Sequence, residues 1–173
     1  MAGIAHLGFG FAAKRFAPKV ALPVLLVAAW LPDLLAVIFS LLKVDNTPQS
    51  VLTHSPITAL AWSVLFALAF LPVYRDLRSA IVIGVVVFLH WVLDFVTWPM
   101  SAVFPNATGV PLLLDTHTLA GLGLYRWISA VVATEVVLPL IGVLVYLKHR
   151  RKVGKTIRNR PETQSHLTSQ SGV

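Results

Sequence analysis

Residues 79–98 read SAIVIGVVVFLHWVLDFVTW, and this stretch decides the fold. Residues 79–89 hold no ionisable group, and His90 and Asp94 follow within the same apolar run. Twenty residues rising ~1.5 Å each cover the ~30 Å hydrocarbon core of a bilayer. A charge near the bilayer centre costs at least ~2.5–3.5 kcal/mol on insertion scales. His90 and Asp94 are therefore expected to face protein, water, a metal or a substrate, not lipid. Their i, i+4 spacing puts them on one helix face. Two metal ligands from one helix turn need that spacing, and so does a carboxylate that fixes an imidazole tautomer from behind.

Outward from this stretch the chain repeats the pattern. Apolar spans are expected at about 20–42, 51–71 and 127–147, so that 79–98 is the third of four. The composition agrees: 57% of the 173 residues are apolar and 12% are charged, against ~25% in soluble domains. Mean hydropathy is +0.79. The segment from Ile4 to Phe16 is apolar but too short to span. The expected fold is all-α: a polytopic bundle of four transmembrane helices with an N-terminal interfacial or half-inserted helix. Residues 1–150 form the membrane domain and 151–173 a basic tail, disordered from about Gly154 on. No cysteine is present, which excludes disulfides and thiolate metal sites. No signal peptide stands out.

The formal charge of +7 is concentrated at one end. From Lys148 onward seven basic residues stand against Glu162, leaving a net +1 for everything before them. Such a tail reads as an anchor after a last span, with no nucleic acid as partner. Lys14, Arg15 and Lys19, then Arg75 and Arg78, then the tail mark the cytoplasmic side, so both termini are expected inside. Trp98, Trp127 and Tyr146 sit at span ends as expected interface anchors. The outer connection from Pro99 to Arg126 is long enough for a lid or a re-entrant segment, and it contains the sequon Asn106-Ala107-Thr108.

Four spans carry ionisable residues where lipid forbids them: Asp33, His54, His90 with Asp94, and Glu135. Helical rise puts Asp33, His90 and Glu135 at one depth, roughly 12–13 Å below the outer surface, with His54 and Asp94 about 5–6 Å down. The inner halves of the spans hold no Asp, Glu or His. The residues thus form a column open to the outer face. Pro32 is expected to break the first span, where Asp33 is either the cap of the outer half-helix or a ligand. Thr53 or Ser55 caps the second span, with Pro56 in its first turn. Glu135 is either a protonated core group or part of the chemistry. Asp115 and His117 read as solvated loop residues, and His149 and His166 belong to the tail.

His6-Leu7-Gly8-Phe9-Gly10, Leu31-Pro32-Asp33, Thr53-His54-Ser55 and His90-Trp91-Val92-Leu93-Asp94 follow one another in that order. Their order and spacing, over about residues 4–98, resemble the membrane-bound metal-dependent hydrolases of the LexA-regulated, bacterial inner-membrane type. The stretch from Gly121 through Glu135 is similar to a branch of small bacterial membrane proteins close to that family. The resemblance implies an inner-membrane location, a hydrolytic activity and a divalent metal such as zinc, with His6, Asp33, His54, His90 and Asp94 as the metal site. It departs from the family at Leu35, where fuller motifs have a second Asp. It departs again at Gln49 and Ser50, where they have a His-Arg pair. Both departures weigh against a two-metal site.

The expected function is a metal-dependent hydrolase open to the extracytoplasmic side, acting on a lipid-like ester or phosphoester among the membrane lipid around it. Glu135, or whichever of Asp33 and Asp94 is not a ligand, would be its base. The catalytic candidates are thus Glu135 and Asp94. No Gly-rich phosphate loop and no serine nucleophile motif accompanies them. The competing readings are a membrane protein that binds or moves protons or divalent ions, and a scaffold whose polar pairs only hold helices together.

Overall fold

The computed structural model describes residues 3–44, 50–104, 106–115 and 117–158. Its helices are α1 (Ala5–Ala13), α2 (Leu22–Leu41), α3 (Val51–His54), α4 (Pro56–Tyr74), α5 (Leu77–Thr97) and α6 (Ile128–Arg158). A two-residue antiparallel pair, β1 (Val110–Pro111) with β2 (Leu119–Ala120), and a 3-10 turn at Leu124–Arg126 lie between α5 and α6. Among the described residues four helices are long and apolar enough to cross a membrane: α2, α4, α5 and α6, the last over Ile128–Lys155. The chain is an all-α membrane bundle.

Local chemistry sets the helix ends. Ser55 turns out of helical geometry, and its Oγ accepts from the Thr58 amide at 3.2 Å, while Pro56 needs no amide partner in the first turn of α4. Arg75 takes a left-handed conformation and closes α4 with a bond from its amide to the Leu71 carbonyl. Asp76 then caps α5 by accepting from the Ser79 amide at 3.0 Å. A two-residue turn thus makes α4 and α5 an antiparallel hairpin.

α5 is the central helix: half of its span is buried, against 6% for α6. Ile83, Val86 and Val87 pack with Leu25, Ala28 and Ala29 of α2. The outward faces are apolar as well. Leu60, Leu65 and Leu68 on α4, and Val132, Val136 and Leu140 on α6, are exposed, as lipid contact requires. α1 is inserted among α2, α5 and α6. It can approach α6 because two glycines meet there. A Cβ on Gly142 would lie 2.3 Å from the Gly8 carbonyl oxygen, and one on Gly8 2.5 Å from that of Leu138.

Several sequence expectations change. α2 runs unbroken through Pro32, so Asp33 caps no half-helix. The second span is divided at Ser55 into α3 and α4. The fourth helix continues past Leu147 to Arg158, because Lys and Arg are good helix formers and favour a helix C-terminus. Residues 159–173, with Arg160, Glu162 and His166, lie outside the described residues, as does Gln49. Among the described residues, the connection from Pro99 to Arg126 forms no re-entrant α-helix and folds over the end of α5. Trp98, Met100, Val110 and Tyr125 form a second apolar cluster over the end of α5. The Leu122 and Gly123 amides donate to the Phe95 and Trp98 carbonyls at 2.8 and 2.6 Å. Trp98 is consequently buried and is no interface anchor, whereas Trp127 is exposed.

Candidate metal centre

α1, α2, α3 and α5 each turn titratable side chains to one point. Asp94 Oδ1 lies 3.3 Å from His6 Nε2. Asp94 Oδ2 lies 3.5 Å from His54 Nε2 and 3.4 Å from His90 Nε2. Across from it, Asp33 Oδ1 is 3.4 Å from His54 Nε2, and Asp33 Oδ2 is 3.6 Å from His90 Nε2. The His6 and His90 rings stack with centroids 3.9 Å apart. His6, His54, His90 and Asp94 are buried, and Asp33 is half-buried.

The three imidazoles present the same edge inward because their other nitrogen is engaged. His90 Nδ1 lies 2.8 Å from the Ala29 carbonyl oxygen, and His6 Nδ1 lies 3.3 Å from that of Gly3. A carbonyl only accepts, so both rings donate from Nδ1, and in the neutral ring this leaves an Nε2 lone pair facing the centre. His54 Nδ1 lies 2.7 Å from Thr53 Oγ1, which lies 3.5 Å from the Ser50 carbonyl oxygen. With the hydroxyl proton on that carbonyl, His54 takes the same tautomer.

An Nε2 lone pair facing a carboxylate oxygen repels it unless a cation, a proton or a metal ion, lies between them. Among the described residues, no hydrogen-bond partner meets the buried His6 Nε2 or His90 Nε2. A tetrahedral ion with ligand bonds near ~2.05 Å has ligand–ligand edges of about 3.3 Å. The measured nitrogen–oxygen separations of 3.3–3.6 Å are close to that edge. Two overlapping sets, His6/His90/Asp94 and Asp33/His54/His90, each place their donor atoms within 4.8 Å of one another. Both sets contain His90. Imidazole nitrogen with carboxylate oxygen is the donor chemistry of zinc and similar divalent ions.

Glu135 stands beside this cluster and not in it. Its Oε2 accepts from the Ala5 amide at 3.0 Å, at the N-terminus of α1, and its Oε1 accepts from the Tyr125 hydroxyl at 2.8 Å. A Cβ on Gly3 would fall 2.0 Å from Glu135 Oε1, so a larger residue there would displace the Glu135 carboxyl. Burial, with the Glu135 carboxyl next, raises the pKa of the Tyr125 phenol above its ordinary value and keeps it a donor. Glu135 and His6 also share a cavity of about 180 Å³ with Leu93, Met100, Phe104 and Tyr125.

The staggered column expected from helical rise is one compact cluster instead. The turn of α3 and the break at Ser55 let His54 reach Asp33, at a level where rise alone did not put it. Asp115 and His117 stay in the connection between α5 and α6, where Asp115 accepts from the His117 and Thr118 amides. The carbonyls of Gly3 and Ala29 carry no signal in the sequence, since any residue supplies a carbonyl. Thr53 did carry one, being next to His54, but as an orienting partner and not as a cap: Ser55 is the cap. Comparison with family models, curated proteins and solved structures found no match.

Proposed function

We propose that the chain is a membrane-embedded hydrolase that holds one divalent ion, with zinc the leading candidate, at His90, with His6 and Asp94 on one side of it and His54 on the other, and that it belongs with the metal-dependent hydrolases its motifs resemble. The carrying observation is the convergence of three Nε2 atoms on two carboxylates. When bound, such an ion polarises a phosphoryl or acyl oxygen and acidifies water toward a pKa of ~7. The chain's residues do the rest. Asp94 touches all three imidazoles and fixes their spacing. Asp33, whose side chain is 14% exposed against 4% for Asp94, is the carboxylate nearer to solvent and takes the proton from attacking water. Glu135, occupied by Ala5 and Tyr125, holds α1 so that His6 points inward. The cavity beside His6 is close in size to a ~150 Å³ dry cavity that admits benzene, which supports an apolar group on the substrate next to an ester or phosphoester.

The test is metal content followed by turnover. Protein purified in detergent should carry about one equivalent of divalent metal, and His90→Ala should abolish this because both ligand sets contain His90. Folded protein without metal removes the proposal. Metal without turnover on long-chain esters and phosphoesters replaces hydrolysis by ion binding or transport.

A further inference from the structure

The end of the bundle away from the metal centre carries a second built feature. α6 leaves its apolar run at Leu147, and Lys148, Lys152 and Lys155 then follow at i, i+4 and i+7 along one helix face. α1 ends beside it. Arg15, just past that end, lines a cavity of about 190 Å³ together with Val145, Lys148, His149 and Lys152. An adjoining cavity of about 410 Å³ shares Lys148 and Lys152 and adds Arg151, Lys155, Leu144 and Leu147. Among the described residues the one carboxylate at this end is Asp76, and it is engaged with Lys19 and Ser79. The cations come from two separate elements, and each cavity has an aliphatic margin on the membrane side. Free phosphate needs no such margin, whereas a lipid brings both a charged head and a chain.

We infer that Arg15, Lys148 and Lys152 hold the headgroup of one anionic phospholipid, with its acyl chain along Val145, Leu144 and Leu147. Each fixed cation near an anionic membrane surface is worth about five-fold in affinity. The lipid would tie α1, which carries His6, to α6.

The experiment uses the full chain in nanodiscs of phosphatidylcholine with a minor fraction of phosphatidylglycerol, and native mass spectrometry to count retained lipid. The wild type should retain one phosphatidylglycerol in preference to phosphatidylcholine. Arg15→Gln and Lys148→Gln should each lower that retention about five-fold, and Arg15→Lys should restore most of it. Metal content should not change, so this result and that for the metal centre are read separately. Equal retention of both lipids, or Arg15→Gln behaving as wild type, overturns the inference. Displacement of the phosphatidylglycerol by millimolar inorganic phosphate overturns the lipid assignment in favour of a free anion.

Discussion

Thr53→Val tests whether the orientation of the imidazoles, and not their mere presence, makes the metal centre. Valine has nearly the shape of threonine, so packing at this fully buried position is retained and the hydroxyl alone is lost. The hydroxyl oxygen lies 2.7 Å from His54 Nδ1, and the proposed ligand role of Nε2 requires it to accept the Nδ1 proton. Without it the ring can move its proton to Nε2, where hydrogen bonds to Asp33 Oδ1 and Asp94 Oδ2 become possible at 3.4 and 3.5 Å. Nε2 would then be a donor and could not bind an ion. Loss of such an orienting partner weakens metal binding by about 10–100-fold, or roughly 1.4–2.7 kcal/mol. Competition with a calibrated zinc chelator in detergent reads this directly, and Thr53→Ser should return close to wild-type affinity. Affinity within two-fold of wild type, at an unchanged melting temperature, would refute the tautomer argument and leave His54 outside the ligand set.

Three further outcomes follow from other contacts. Tyr125→Phe removes the donor to Glu135 Oε1 and should cost about 1–3 kcal/mol in unfolding. In a double-mutant cycle with His6→Ala its effect on zinc affinity should be strongly non-additive, because Glu135 acts on the site through α1. Gly142→Ala puts a methyl against the Gly8 carbonyl and should destabilise by about 1–3 kcal/mol as α1 is pushed away; unfolding in a graded denaturing detergent reads it. The bonds from Ser79 hold the Asp76 carboxyl below its ordinary pKa, with Lys19 adding to the effect. Its contribution to stability is therefore complete above the unfolded value of ~3.9 and lost as pH falls through the lower folded value. Melting temperature should drop between about pH 5 and pH 2 in the wild type, and by less in Asp76→Ala, which starts lower.

The four spans were legible in one dimension because lipid imposes a one-dimensional rule: about twenty apolar residues, or no crossing. That rule also exposed Asp33, His54, His90, Asp94 and Glu135 as residues with no place facing lipid. Depth along a helix axis is likewise a matter of counting. Rotation about the axis is not, and neither is the path of a short break such as Ser55. Those are settled by how α1 seats on Gly142 and how α5 packs on α2, contacts between residues far apart in the chain. Hence the chain alone determined the class of fold and the short set of residues that lipid excludes. Only the tertiary structure decided that His6, Asp33, His54, His90 and Asp94 meet while Glu135 turns instead to Ala5 and Tyr125. The carbonyls that orient His6 and His90 belong to the backbone, and every residue has one. Which carbonyl lies 2.8 Å from an imidazole is a property of packing.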